Sequence, residues 1–288
     1  MGYSARYHAT SLIAVFIALA VGVVVGAALG GDTIDNTRKD LERSLTGNLE
    51  DARQRADELS GELGRANEFA GRVYPVLVRD QLRGRRIGLI AFGELPGDVS
   101  DSIEAGLVPT GARLVGVGVV REPVDTRGLA DDLAKTRFAR IARDPDTQTA
   151  FGVGLGRQLV RGGTLLDPVR GHLFSRASGN FGALDGVIVV RDQPQDMGER
   201  QRATVGRIES GLLSGMTGTH APAVGVESST AEPSSISFFT GNDLAGVDDV
   251  DLTAGRLATV FALLGAEGSF GVKGSADRLL PDLLAPYE

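Results

Sequence analysis

Cysteine is absent from the 288 residues. That single absence removes disulfides, zinc–thiolate sites, iron–sulfur clusters and thiol catalysis together. Tryptophan is also absent and aromatics make up 5%, too few for a surface that stacks bases. The formal net charge of −7 argues against nucleic acid as a partner. Histidine is scarce as well, with three residues, which limits imidazole chemistry to His8, His172 and His220. What remains is enough to fold. Hydrophobic residues make up 42% and charged residues 23%, so the chain can bury a core and full disorder is excluded. The 40 glycines show no collagen period.

Ser11 to Gly30, SLIAVFIALAVGVVVGAALG, is a long apolar run that no charge interrupts. As a helix it spans roughly 30 Å, the thickness of a bilayer core. It is longer than the roughly 7–15 residues of a signal-peptide apolar region, so length favours a retained anchor over a cleaved leader. Ala18, Gly22, Gly26 and Gly30 recur every fourth residue. They line one stripe of the helix, where two backbones can approach closely in lipid. Arg6 precedes the span, and Arg38, Lys39 and Arg43 follow it, so charge alone does not set orientation. The expectation is a short tail (1–10) inside, a single transmembrane helix (11–30), and a large domain outside the cytoplasm.

From Asp32 the composition becomes charged and punctuated by Leu and Ala. Leu45, Leu49, Ala52, Ala56, Leu59, Leu63, Ala66, Ala70 and Val73 fall at alternating spacings of four and three, the a and d positions of a heptad repeat. This predicts a coiled-coil stalk over 32–73 that joins copies of the chain. The alternative is one amphipathic helix docked on the following domain. Gly47, Gly61, Gly64 and Gly71 weaken the helix by about 1 kcal/mol each relative to Ala, so pairing would lean on the nearby anchor. Tyr74-Pro75 is the expected end of the stalk.

Residues 76–288 alternate strand-like and helix-like segments. Strands are expected at 86–92, 113–120, 186–190, 223–227 and 235–240. Helices are expected from Asp98, capped there, to about Thr110-Gly111; as a pair over 129–161 broken at Asp144-Pro145; from an Asp196/Glu199 capping box to about Ser214; and over 252–264 up to Gly265. This pattern predicts an α/β fold, a mostly parallel sheet with helices on both faces in a flavodoxin-like or Rossmann-like arrangement.

No catalytic constellation stands out. GxxxxGK[ST] is missing. Gly271-Val272-Lys273-Gly274-Ser275 lacks the leading glycine spacing, and Gly152-Val153-Gly154-Leu155-Gly156 falls in a helical stretch. The turn Gly93–Asp98 joins a strand to a helix start, but Glu94 and Asp98 would repel an anion. No GxSxG elbow exists, and His172 and His220 read as turn or surface histidines. Met197 and Met216 sit at opposite ends of one predicted helix, so no sulfur site for copper forms. Asp243, Asp248, Asp249 and Asp251 read as a solvated acidic loop. The sequence therefore assigns no catalytic, cofactor or metal-ligating residue and no enzymatic activity.

Two terminal stretches carry a family resemblance. Arg6-Tyr7-His8-Ala9 and Ser11-Leu12-Ile13-Ala14-Val15-Phe16 lead into the glycine-striped span. Val247-Asp248-Asp249-Val250-Asp251, Gly255-Arg256-Leu257-Ala258-Thr259-Val260, Gly271-Val272-Lys273 and Ala276-Asp277-Arg278-Leu279-Leu280-Pro281 lie at the other end. Together these resemble the copper transporter family typified by mycobacterial copper transport protein B. The resemblance implies a role in copper efflux or homeostasis, association with the cell envelope and possible envelope partner proteins. It transfers no copper ligand to any residue here, and 121–176 carries no matching motif.

Overall fold

A computed structural model describes residues 4–194 and 196–283. The chain divides into two compact units, Met1–Ala66 and Asn67–Glu288.

Unit one is helical from Ser4 onward, within the long helix α1 (Ser4–Leu77). The expected tail is therefore helix from Ser4 on, and Met1–Tyr3 lie outside the described residues. Ala9–Ala28 is long and apolar enough to cross a membrane, with mean hydropathy 2.7 and none of it buried. It is the only such helix among the described residues. Gly22 and Gly26 have open space beside them; the surroundings of Gly30 lie outside what is described. Leu45, Leu49, Leu59 and Leu63 are all more than half exposed in the single chain, and Ala52, Ala56 and Ala66 are exposed with them.

Unit two opens on the last turns of α1. Pro75 does not end the helix as expected; α1 runs on to Leu77. A proline this close to the terminus removes one donor, and the amide of Val78 still reaches the carbonyl of Tyr74 at 3.1 Å. Tyr74 is buried and donates its hydroxyl to the carbonyl of Gly106 at 2.6 Å. Ala70 and Val73, the last two seam positions, are half-buried.

The sheet has seven strands among the described residues: β1 (Arg86–Gly93), β2 (Arg113–Val120), β3 (Phe174–Gly179), β4 (Gly186–Asp192), β5 (Ala223–Val226), β6 (Ala245–Val247) and β7 (Ser269–Phe270). Their spatial order is β3-β2-β1-β4-β5-β6-β7. Every pairing is parallel except β2 with the edge strand β3. The helices are α2 (Gly97–Leu107), α3 (Thr126–Asp132), α4 (Pro145–Arg161), α5 (Leu166–Leu173), α6 (Glu199–Thr217), α7 (Ile236–Thr240) and α8 (Thr253–Leu263). They cover both faces of the sheet. Ile90, Phe92, Val187 and Val189 point into a core with α3 to α7. Ile87, Leu89, Ala91, Ile188 and Val190 point the other way, into a core with α2, α8 and the end of α1. Strand segments covered on both sides must be apolar throughout, as 87–92 of β1 and 186–190 of β4 are.

Several local expectations change. Ser235–Thr240 is not a strand but leads into the short helix α7. The Ser234 hydroxyl accepts the Ile236 amide, and Phe239 lies where a side chain at residue 225 would be, a space left by Gly225 in β5. Asp98 does not cap α2. The cap is Pro96, without a side-chain bond, and Asp98 lies in the first turn. Asp196 does not cap α6; Gly198 does, with the Gln201 side chain accepting its amide at 3.0 Å. Over 129–161 the second helix starts at the Asp144-Pro145 break as expected, whereas the first is only α3, followed by turns. The helix α5 and strands β3, β6 and β7 were not anticipated.

Candidate functional site

Strand β1 lies between β2 and β4, so the winding of the chain reverses at the β1/β4 junction. Open parallel sheets bind ligands outside the carboxyl ends of their strands at such a junction. A cleft of about 570 Å³ lies there, lined by Pro96 and Asp98 after β1, Arg191 to Pro194 at the end of β4, and Glu227 to Ser235 after β5. Gly93, at φ +84, allows β1 to pass against the Asp192 carbonyl, where a Cβ would collide. The Glu94 amide bonds that carbonyl at 2.9 Å.

Beside the cleft lies a buried polar group that the sequence reading did not find. The Arg191 guanidinium meets the Glu209 carboxylate at 3.2 Å and lies over the Phe238 ring at 4.2 Å. Gln193 donates to the same carboxylate at 3.0 Å. Glu122, just beyond β2, brings a second carboxyl whose oxygens are both buried and receive no donor. Burial first, then the Glu209 charge, pushes Glu122 up to about 9. Burial also raises Glu209, against the pull of Arg191. The guanidinium bonds Glu209 and not Glu122, so burial favours the neutral acid at Glu122. The sequence did carry a signal: Glu209 sits on the apolar stripe of α6 with Val205, Ile208 and Leu212, all buried.

A second polar group lies beyond β5, β6 and β7. Glu227 is buried and accepts from Lys273 Nζ at 2.8 Å and from the Ser235 amide at 2.5 Å. Lys273 Nζ also reaches the Ala231 carbonyl at 2.8 Å. Asp248 accepts the amides of Val272 and Lys273 at 2.8 and 3.1 Å. The loop 271–275 thus does hold an anion with its backbone, and the anion is the chain's own carboxylate. Gly271 is required there, because a Cβ would strike Asp248. Asp251 accepts the amide and hydroxyl of Ser229 at 2.6 and 2.7 Å. The acidic stretch is therefore not a solvated loop. Asp248 and Asp249 are fully buried, and only Asp243 is exposed. Both carboxylate oxygens of Asp249 lack a partner. Burial, with Asp248 and Asp251 nearby and Lys273 opposing, pushes Asp249 up to about 7.

The remaining candidates resolve as follows. Gly152 and Gly156 lie in α4 and face Gly211 and Gly215 in α6. At each of these four positions a Cβ would strike the backbone of the other helix, so the glycine run is a packing seam rather than a phosphate loop. His172 lies on α5, not in a turn, and His220 is exposed. Met197 and Met216 are both buried, just before α6 and near its far end. Among the described residues no group of three or more His, Cys, Asp or Glu side chains could hold a metal ion.

Residues 3–281 match the family described as "Copper transport outer membrane protein, MctB". Copper transporter MctB of Mycobacterium tuberculosis (strain ATCC 25618 / H37Rv) is 36% identical over 84 residues, 29% of this chain and 27% of that protein. Copper transporter MctB of Mycobacterium bovis matches to the same extent. The aligned stretch thus spans about a quarter of the curated relatives' length.

Proposed function

The chain belongs to the MctB family of copper transport proteins, and from that premise we propose that it is a membrane-anchored cell-envelope protein serving copper efflux or homeostasis as an oligomer. The observation that carries this reading is the extent of the family match, which runs through the apolar helix, the exposed seam and the α/β unit. Ala9–Ala28 acts as a single-pass tether. Ala18, Gly22, Gly26 and Gly30 form its packing face. The heptad seam from Leu45 to Val73 pairs copies of the chain as a coiled coil, and the α/β unit lies outside the cytoplasm. Copper is substrate here, not a resident cofactor, and no enzymatic step is assigned. The order of the parallel strands, with the reversal at β1/β4, supports a flavodoxin-like winding within the three-layer unit.

A second reading is a structural scaffold of the envelope that recruits partner proteins and moves no metal itself. It draws on the lack of a three-ligand metal cluster among the described residues. A deletion strain separates the two. The transport reading expects higher cell copper and greater copper sensitivity, both restored by the intact gene. Unchanged copper content and unchanged sensitivity would overturn it and leave the scaffold.

A further inference from the structure

The two edges of the sheet are finished differently. At one end β7 is two residues long, and Phe270 bridges to Arg278 of the C-terminal segment. At the other end β3 runs for six residues, and no strand lies beyond it among the described residues. Ser175, Arg176, Ser178 and Gly179 are exposed there. Just after β3, Asn180 donates its amide to the Val115 carbonyl at 2.9 Å. Val117 lies opposite Ser178 and Val119 opposite Arg176. The alternation of an antiparallel ladder, counted from Asn180, makes these two the bonded pairs. Ala177, between them, therefore turns its N–H and C=O away from β2. The Gly179 carbonyl turns the same way and accepts Arg170 Nη2 at 3.3 Å.

An unpaired edge of this length is a template for another strand. It also has a place for side chains. A groove of about 410 Å³ is lined by Leu107, Val108, Leu114, Val117, Ser178 and Gly179. Val108 is 78% exposed, and Leu114 and Val117 are half-buried, so the floor is apolar and uncovered. Ser178 and Arg176, opposite Val117 and Val119, share the face of the sheet that carries α2. Ser178 is small, so a side chain from an added strand passes over it onto Val117 and Val108. Two residues along, the same strand meets Arg176. Arg121 and Arg170 stand at the two ends of β3, each donating to a strand carbonyl. Among the described residues none of these three arginines is ion-paired. Glu94 borders the recess beside Arg121 and Arg176 but follows β1, so the rim of β3 itself is cationic. Glu104 rims the groove, which places an incoming carboxylate at Arg176 and leaves the groove to an apolar residue.

We propose that the β3 edge docks an extended acidic segment of a partner protein, which adds to the sheet with a carboxylate on Arg176 and an apolar side chain in the groove. The outward main chain at Ala177 supplies affinity, and the alternate side chains supply selection. Opposite charges facing one another across two strands stabilise the pair, and like charges oppose it. A second copy of the chain would bring the same arginines to this edge, so the charge favours a partner of the other sign.

The test uses the full chain in detergent and fluorescence anisotropy of two labelled peptides, TDTDTVT and TVTDTDT, which cover both strand directions. One of them should bind, more weakly as salt is added, while its counterpart with Lys for Asp should not. Arg176→Glu should weaken the Asp peptide by at least tenfold and take up the Lys peptide instead. Ala177→Pro removes only an outward donor, a change that edge strands tolerate. It should abolish binding with the circular dichroism unchanged. A folded Ala177→Pro protein that binds as the parent does would overturn the proposal. So would equal binding of the Asp and Lys peptides, or no binding at millimolar peptide. A lower oligomeric mass in Ala177→Pro would also overturn it, because the edge would then belong to a second copy.

Discussion

The Glu122 carboxyl is buried without a hydrogen-bond partner beside Glu209, which holds the Arg191 guanidinium, and the consequence is readable as a function of pH. Glu122 rises from its ordinary 4.5 to about 9 in the folded chain. Between those values the folded state keeps a proton that the unfolded state releases. Stability from this group therefore falls as pH rises through the window, and below about 4.5 the group has no effect. Asp249, raised from 3.8 to about 7, acts in the same direction over its own interval. Glu122→Gln substitutes a neutral amide for a neutral acid. We expect it to exceed the parent in stability by on the order of 1–2 kcal/mol at pH 8 and to match it near pH 4. Urea unfolding at the two pH values checks this; equal stability at both would mean that Glu122 is ionised in the folded protein.

At the scale of elements, the seam on α1 carries the clearest test. Leu59 is 59% exposed in the single chain and sits midway along a run of a and d positions. Leu59→Asp puts a charge into that seam. The mass of the detergent-solubilised protein should drop from an oligomer to a monomer, while an unchanged mass would dismiss pairing through this face. The same element shows what a sequence discloses. Period and length made α1, β1, β2, β4 and α8 legible, because apolar positions repeat there over eight or more residues or fill a strand outright. The five apolar-rich residues of α7 were not, since a run so short fits either period. β6 and β7 are shorter still. The buried acids were missed for another reason. Asp248 and Asp249 look like a polar loop until the amides of Val272 and Lys273 arrive from more than twenty residues away. The glycines of α4 were rightly placed in a helix, but their role needed α6 beside them.

At the scale of the molecule, the whole sheet and both cores fall within Asn67–Glu288. That unit should fold alone. Expressed as 67–288 it is expected to be a soluble monomer by light scattering with a single thermal transition. Broad or absent melting would show that its stability depends on the preceding residues.

The proton held by Glu122 also changes what the whole chain presents to its surroundings. The formal charge of −7 counts that carboxyl and Asp249 as ionised, so at neutral pH the folded protein is less negative than its composition states, by the Glu122 proton and the share of one that Asp249 keeps. Folding consequently draws a hydrogen ion from the medium, and the heat it releases depends on which buffer supplies that ion.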